Sequence, residues 1–324
     1  MYYVSSSPHV KSKMTTRGIM GDVIIAMLPA MVFGIYNNAS LFGIMYGSRA
    51  AALIAVVVAT CVVTEYAYEI FTNRPITTHD LSAVVTGMIL ALNLPVTLPF
   101  WMAILGAVFA ILVIKQLFGG LGQNFMNPAL GARCFLVLSF AGPMTAFFPE
   151  KFKVVDGVSS ATPLTNLKAG GETDLLSMFL GTHAGTIGET CIIALLIGGA
   201  YLLVKKIIDW RIPVVYIASF TVCLIVFGGH GFDMTFLAKH LCGGGLVFGA
   251  FFMATDYTTS PITGKGKVIY GICLGLLTAI IRVYGNTAEG VSFAIIFCNL
   301  LVPLIEKISI PKAFGLEKEK GGNK

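Results

Sequence analysis

Thr255-Asp256-Tyr257-Thr258-Thr259-Ser260-Pro261-Ile262-Thr263-Gly264 interrupts an apolar chain just after a segment, 242–256, that is short for a membrane crossing. At 1.5 Å per residue its roughly 15 residues reach about 22 Å, less than the ~30 Å of hydrocarbon. A second short segment, 80–94, ends the same way at Asn93-Leu94-Pro95-Val96-Thr97-Leu98-Pro99. Laid on each other, Ala91 and Asn93 fall on Ala254 and Asp256, Phe118-Gly119 falls near Tyr284-Gly285, and Ala129 near Ala294. Apolar runs predict helices near 19–36, 50–70, 80–94, 98–117, 129–148, 188–208, 212–228, 242–256, 267–285 and 290–306. The two interrupted segments are third and eighth, and an offset of five turns the second copy upside down. The fold expected is an all-α polytopic membrane protein of about ten transmembrane helices in two inverted five-helix repeats. Interrupted helices at matching places in such repeats point to a binding site near the bilayer midplane.

Working outward, the composition agrees. The chain is 56% hydrophobic and 12% charged, with a mean hydropathy of +0.83. That is too little charge to cover a soluble surface. The net charge of +6 would suggest nucleic acid in a soluble protein; here the basic residues flank apolar runs, so a lipid bilayer is the expected partner and nucleic acid is not. The seven cysteines stand singly without ligand spacing, which reads as small core residues and no iron–sulfur cluster held by this chain alone. His79, His183, His230 and His240 fall in expected loops and read as solvated.

Sorting the 22 Lys and Arg into alternate loops leaves only six, Arg49, Lys151, Lys153, Lys168, Lys239 and Arg282, on the side away from the termini. The bias predicts cytoplasmic termini. The chain then divides into a cytoplasmic segment 1–18, a first half 19–148, an extracytoplasmic loop 149–187, a second half 188–306 and a cytoplasmic tail 307–324.

Asp256 is the one acidic residue that the sequence places in the hydrocarbon, where a carboxylate costs about 2.5–3.5 kcal/mol and needs a partner. A bound cation, a flavin ring N–H, or the amides of Asn124 and Asn127 would serve; a helix cap at the membrane edge, with Thr258 and Thr259, is the other reading. Asn124 and Asn127 precede Pro128 at an expected helix start, where Asn127 suits a cap. Their amides offer donor and acceptor to the edge of an isoalloxazine ring as well.

The loop contains Asp156-Gly157-Val158-Ser159-Ser160-Ala161-Thr162-Pro163-Leu164-Thr165, with four hydroxyls in seven positions. Pro163 biases Thr162 to extended backbone, with the hydroxyl held outward. A Ser/Thr-rich surface turn is the plain reading. The stretch also resembles the flavinylation motif of the D subunit of the Rnf complex, an ion-translocating ferredoxin:NAD oxidoreductase. It is similar too to its longer paralogue, the B subunit of the sodium-translocating NADH:quinone reductase. The family pattern has Gly where this chain has Ser160. The resemblance extends through 118–129, 254–261 and 289–294, and chain length favours the Rnf subunit.

This resemblance implies FMN joined by a flavin transferase through a phosphoester to Thr162, with Asp156, Ser159, Ser160, Ala161, Pro163 and Leu164 completing the motif. It implies a second, noncovalent flavin, riboflavin, near Asn124, Asn127 and Asp256. It further implies a multi-pass subunit of the bacterial inner membrane that relays electrons among iron–sulfur subunits and a second flavinylated subunit. The whole assembly would couple ferredoxin/NAD chemistry to Na⁺ or H⁺ movement. No complete active site is expected in this chain alone. The rival expectation is a channel or secondary transporter whose inverted repeat encloses a solute path.

Overall fold

The computed structural model describes residues 14–149, 162–168, 171, 173–229, 231–285 and 290–311. Among these residues every regular element is helical. In chain order they are α1 (Thr16–Phe42), α2 (Ile44–Phe71), α3 (Ser82–Leu92), α4 (Phe100–Val108, continuing as a π-helix Phe109–Gln116), α5 (Pro128–Ser139), α6 (Ala141–Thr145) and α7 (Pro163–Lys168). They continue as α8 (Leu175–Leu180), α9 (Ile192–Val204), α10 (Arg211–Phe227), α11 (Met234–Cys242), α12 (Leu246–Phe248, continuing as a π-helix Gly249–Met253), α13 (Gly264–Tyr284) and α14 (Val291–Ser309).

Four of these, α1, α2, α13 and α14, are long and apolar enough to cross a membrane; α11 with α12, bent by 63° at Gly243–Gly245, makes a fifth. The other apolar helices are shorter, between 10 and 17 residues. All ten expected segments contain helix, but several differ in extent; the second, expected from 50, already starts at Ile44. The first, expected to stop at 36, runs to Phe42, because Asn37 and Asn38 are buried inside it: Asn38 Nδ2 donates to Gly34 O at 2.8 Å and Asn37 Nδ2 to His183 O at 3.1 Å. The fifth, expected over 129–148, breaks at Phe140 (φ −133°, ψ 52°). Pro143 explains the break, since it has no N–H for the Ser139 carbonyl and its ring would clash there.

Small residues permit close helix approach. A methyl group at Gly198 of α9 would lie 2.0 Å from Ala26 O of α1, and one at Gly275 of α13 would lie 1.9 Å from Ser219 Oγ of α10. These contacts replace a hydrophobic driving force that lipid cannot supply.

The packing recurs between the halves. In the first, α2 packs on α3 and α4, while α3 and α4 pack on α5. In the second, α10 packs on the π-end of α12 and on α13, while both of those pack on α14. Across the halves α1 meets α9 and α5 meets α14.

Cations fasten both interrupted helices. Arg49 donates to the carbonyls of Val96, Thr97 and Leu98, beyond the end of α3. Arg211 lies against Gly264, beyond the end of α12. At the opposite ends Lys115 donates to Ser82, the first residue of α3, and Arg282 donates to His240 O and Gly244 O just before α12. Non-helical backbone inside a bilayer must find such partners.

Candidate functional site

A mainly apolar cavity carrying several polar side chains lies between the start of α3, the end of α4, the start of α5 and the broken end of α12. Ile19, Met20, Phe251 and Phe252 supply apolar wall; Ser82, Thr86, Lys115, Asn124, Asn127, Asp256 and Thr258 supply polar groups.

Asn127 performs the expected cap and more. Its Oδ1 accepts from Ala129 N (3.1 Å) and Leu130 N (3.4 Å), satisfying two amides that a helix start leaves open, and Pro128 occupies the first helical position. Its Nδ2 reaches Met253 O at 3.4 Å, tying α5 to the end of α12. Asn124 Nδ2 donates to Met126 O and Thr258 Oγ1, both at 3.1 Å. Asp256 accepts from Thr258 Oγ1 (3.0 Å) and Thr259 Oγ1 (3.1 Å), and its carbonyl accepts from Ser260 N. Asp256 therefore orders the turn that follows α12; no helix starts there, and Asp256 also lines the cavity. Asn124, Asn127 and Asp256, spread over more than 130 positions, meet in one place.

The sequence reading missed a buried ionic group beside this cavity. Lys115 and Glu65 are 2% and 1% exposed and form an ion pair at 2.6 Å. Lys115 Nζ also donates to Ser82 Oγ at 2.6 Å, and Gln116 Nε2 donates to Glu65 Oε1 at 2.8 Å. Glu69, one turn along α2, is equally buried and accepts from Thr77 N at 3.0 Å and from the Thr77 hydroxyl. The expectation that Asp256 is the one acidic residue within the bundle is thus corrected. Glu65 and Glu69 sit near the end of a long apolar run, where Lys115 and Gln116 of α4 meet Glu65 and Thr77 meets Glu69. The signal available was their i,i+4 spacing opposite a lysine at the end of another apolar run. Lys115, Arg133 and Arg282, sorted into loops by the charge count, are buried inside the bundle.

Thr162 stands apart from the cavity. It caps α7: Thr165 N lies 3.4 Å from Thr162 Oγ1, the two hydroxyl oxygens are 2.9 Å apart, and Asn166 N donates to Thr162 O at 3.0 Å. Pro163 takes the first helical position, as suits it. The hydroxyl, expected outward, belongs instead to a buried residue, because the proline that extends Thr162 also starts a helix whose open amides the hydroxyl serves. Asp156, Ser159, Ser160 and Ala161 lie outside the described residues. Leu164 packs at Gly243, in the bend between α11 and α12, and Lys168 donates to Gly285 O. The α7 helix is thereby docked on the interrupted helix whose far end borders the cavity. An ester at Thr162 Oγ1 would remove the proton it shares with Thr165 Oγ1 and keep the acceptor for Thr165 N.

Three histidines bear on the solvated reading. His79 is exposed, but His183 is half-buried with Nδ1 3.2 Å from Ser177 O, and His240 is buried in α11 against Phe236, with ring centroids 4.4 Å apart. His230 lies outside the described residues. All seven cysteines are free.

The fold and cavity define a polytopic helical membrane protein with a polar site between interrupted helices. A sequence model of the NQR2, RnfD, RnfE family matches residues 3–315, and the chain belongs to that family. It is 45% identical to the D subunit of the Na⁺-translocating ferredoxin:NAD⁺ oxidoreductase complex of Acetobacterium woodii, over 98% of this chain and 96% of the relative. It is 41% identical to the D subunit of the proton-translocating ferredoxin:NAD⁺ oxidoreductase complex of Clostridium ljungdahlii, over 98% and 97%. The D subunit of an ion-translocating oxidoreductase complex of Actinobacillus succinogenes is 35% identical over 97% and 98%.

Proposed function

We propose that this chain is the D-type subunit of an ion-translocating ferredoxin:NAD oxidoreductase complex and carries FMN on Thr162. Near-complete alignment to relatives so named supports the assembly; the motif at 156–165 supports the flavin. Electrons would enter and leave through neighbouring iron–sulfur and flavinylated subunits. FMN, when bound, supplies one- and two-electron transfer chemistry. This chain's part is to fix its position: Thr162 is held by Thr165 and Asn166, and α7 by Gly243 and Gly285.

The cavity at Asn124, Asn127 and Asp256 is the place for a second, noncovalent flavin. Its apolar wall of Phe251 and Phe252 suits an aromatic ring, and neutral amides with a lysine suit the ring's polar edge. The single observation that carries this reading is the convergence of those three residues on one cavity.

The repeated packing and the cations placed at both interrupted helices support two inverted five-helix halves, with short helices packed inside the bundle in place of full spans. Cytoplasmic termini and an outer face for Thr162 rest on the sorted basic residues. The deciding experiment is to assemble the complex with Thr162→Ala. Loss of ferredoxin-dependent NAD⁺ reduction in a correctly inserted complex is the expected result; wild-type turnover would sink the assignment. The transporter reading has no support from the family.

A further inference from the structure

Beyond that reading, and resting on its placement of a flavin in the cavity, the structure assigns Glu65 and Lys115 a task. We propose that they form a charge-compensation site: Lys115 responds to reduction in the cavity, and Glu65 takes up the compensating proton.

The geometry is specific. An ammonium has three N–H donors. Two of those on Lys115 are engaged, by Glu65 Oε1 and Ser82 Oγ, each at 2.6 Å. Lys115 also borders the cavity, so its third donor is available to a ligand there. Glu65 Oε1 receives both Lys115 and Gln116. Glu65 Oε2 is buried and has no hydrogen-bond partner among the described residues. A buried carboxylate oxygen left so is costly unless it gains a proton or a donor.

The open valence decides what Glu65 binds. Lys115 and Gln116 occupy Oε1 and only Oε2 is left, so a metal ion, which needs several oxygens, lacks its ligands, whereas one proton forms an O–H bond there. The other titratable groups facing Glu65 are Cys61 and Glu69 on its own helix, Lys115 on the π-end of α4, and Asp80 just before α3. Asp256 lines the same cavity as Lys115. From Glu69, the bonded Thr77 leads to the exposed loop around Arg74, which gives a route for protons from solvent.

The step balances. An electron originating from reduced ferredoxin adds one negative charge in the cavity. Lys115 turns its charge from Glu65 to the cavity, and one proton from solvent forms an O–H bond on Glu65 Oε2. Reoxidation sends the electron onward, returns Lys115 to Glu65 and releases the proton. The π-helical turn carrying Lys115 and Gln116 is the kind of distortion that functional sites retain.

The test is a spectroelectrochemical titration of the noncovalent flavin in the purified complex at several pH values. In wild type the midpoint should fall as pH rises. Glu65→Gln should raise the midpoint, because Lys115 then gives its whole charge to the cavity; Lys115→Met should lower it. Both variants should show a flatter pH dependence than wild type, and both should keep the Thr162 label. Removing one partner of a buried pair is strongly destabilising, so the double variant Glu65→Gln/Lys115→Met, with no stranded charge, provides a folded control that should also lose the extra pH dependence. Shifts of the same sign in the two single variants, a wild-type slope in the double variant, or a midpoint that follows Na⁺ in place of pH would overturn the proposal. Wild-type complex without noncovalent flavin would overturn the cavity reading, and this proposal with it.

Discussion

Asn127 carries two roles that substitution can separate. Asn127→Ala removes the cap on Ala129 N and Leu130 N and the amide bond to Met253 O. A lost cap costs about 1 kcal/mol, within a range of roughly 0.5–2. The bond to Met253 is long at 3.4 Å and contributes near the low end of the usual range, about 0.5 kcal/mol. The sum is about 1.5 kcal/mol. Asn127→Asp keeps an acceptor at the helix start, where a negative charge is favoured, and loses the amide donor alone, so its cost should stay near about 0.5 kcal/mol. Flavin retention should respond differently: the aspartate puts a second carboxylate beside Asp256 and removes a donor, so noncovalent flavin should be lost from Asn127→Asp as fully as from Asn127→Ala. Thermal unfolding of the detergent-solubilised chain gives the stability order, and acid release of flavin gives occupancy. Equal destabilisation by the two substitutions would refute the capping account. Full flavin occupancy in Asn127→Asp would refute the cavity account.

Other substitutions probe separate parts of the structure. Asp256→Asn retains acceptors for Thr258 and Thr259 and should cost a few tenths to about 1 kcal/mol, while impairing ion-coupled turnover of the assembled complex; unimpaired turnover with full flavin content would leave ordering of that turn as its entire role. Single cysteines at Lys168 and Lys265, in a background without the native cysteines, should label from opposite faces with an impermeant thiol reagent, and labelling from one face would overturn the topology. Asp209, in the turn between α9 and α10, gives a pH prediction. Burial pushes its carboxyl up, but the Arg211 N–H (3.1 Å) and the Lys267 ammonium (3.0 Å) outweigh burial and hold it below the ordinary carboxylate range. A depressed folded value means that stability is present above the unfolded pKa of about 3.9 and is lost as pH falls through the folded value. Asp209→Asn should therefore destabilise by no more than about 1 kcal/mol at neutral pH, as partly exposed pairs do, and the difference should vanish in acid; a constant difference would contradict the pairing.

The helices were legible because apolar runs between polar breaks dictate them, and Asn127 marks a start that the structure uses as a cap. Their ends were less so. Asn37 and Asn38 look like a loop by composition, yet each finds a carbonyl inside the bundle. The cavity was half legible: Asn124, Asn127 and Asp256 announce themselves by breaking helices, and the breaks expose backbone that side chains must serve. Lys115 and Glu65 were not, because nothing local distinguishes a lysine at a helix end that reaches solvent from one that folds back on a carboxylate 50 positions earlier. Arg282 was misplaced for the same reason: its partners, His240 O and Gly244 O, exist as acceptors only once α11 and α12 bend apart.

The most direct measurement is ultraviolet fluorescence of the denatured polypeptide on a gel, for the wild-type chain and for Thr162→Ala, each expressed with its flavin transferase. Flavin fluorescence that comigrates with the wild-type chain and is absent from the inserted Thr162→Ala chain is the result expected. A dark wild-type band, or an equally fluorescent variant, would contradict covalent attachment at Thr162.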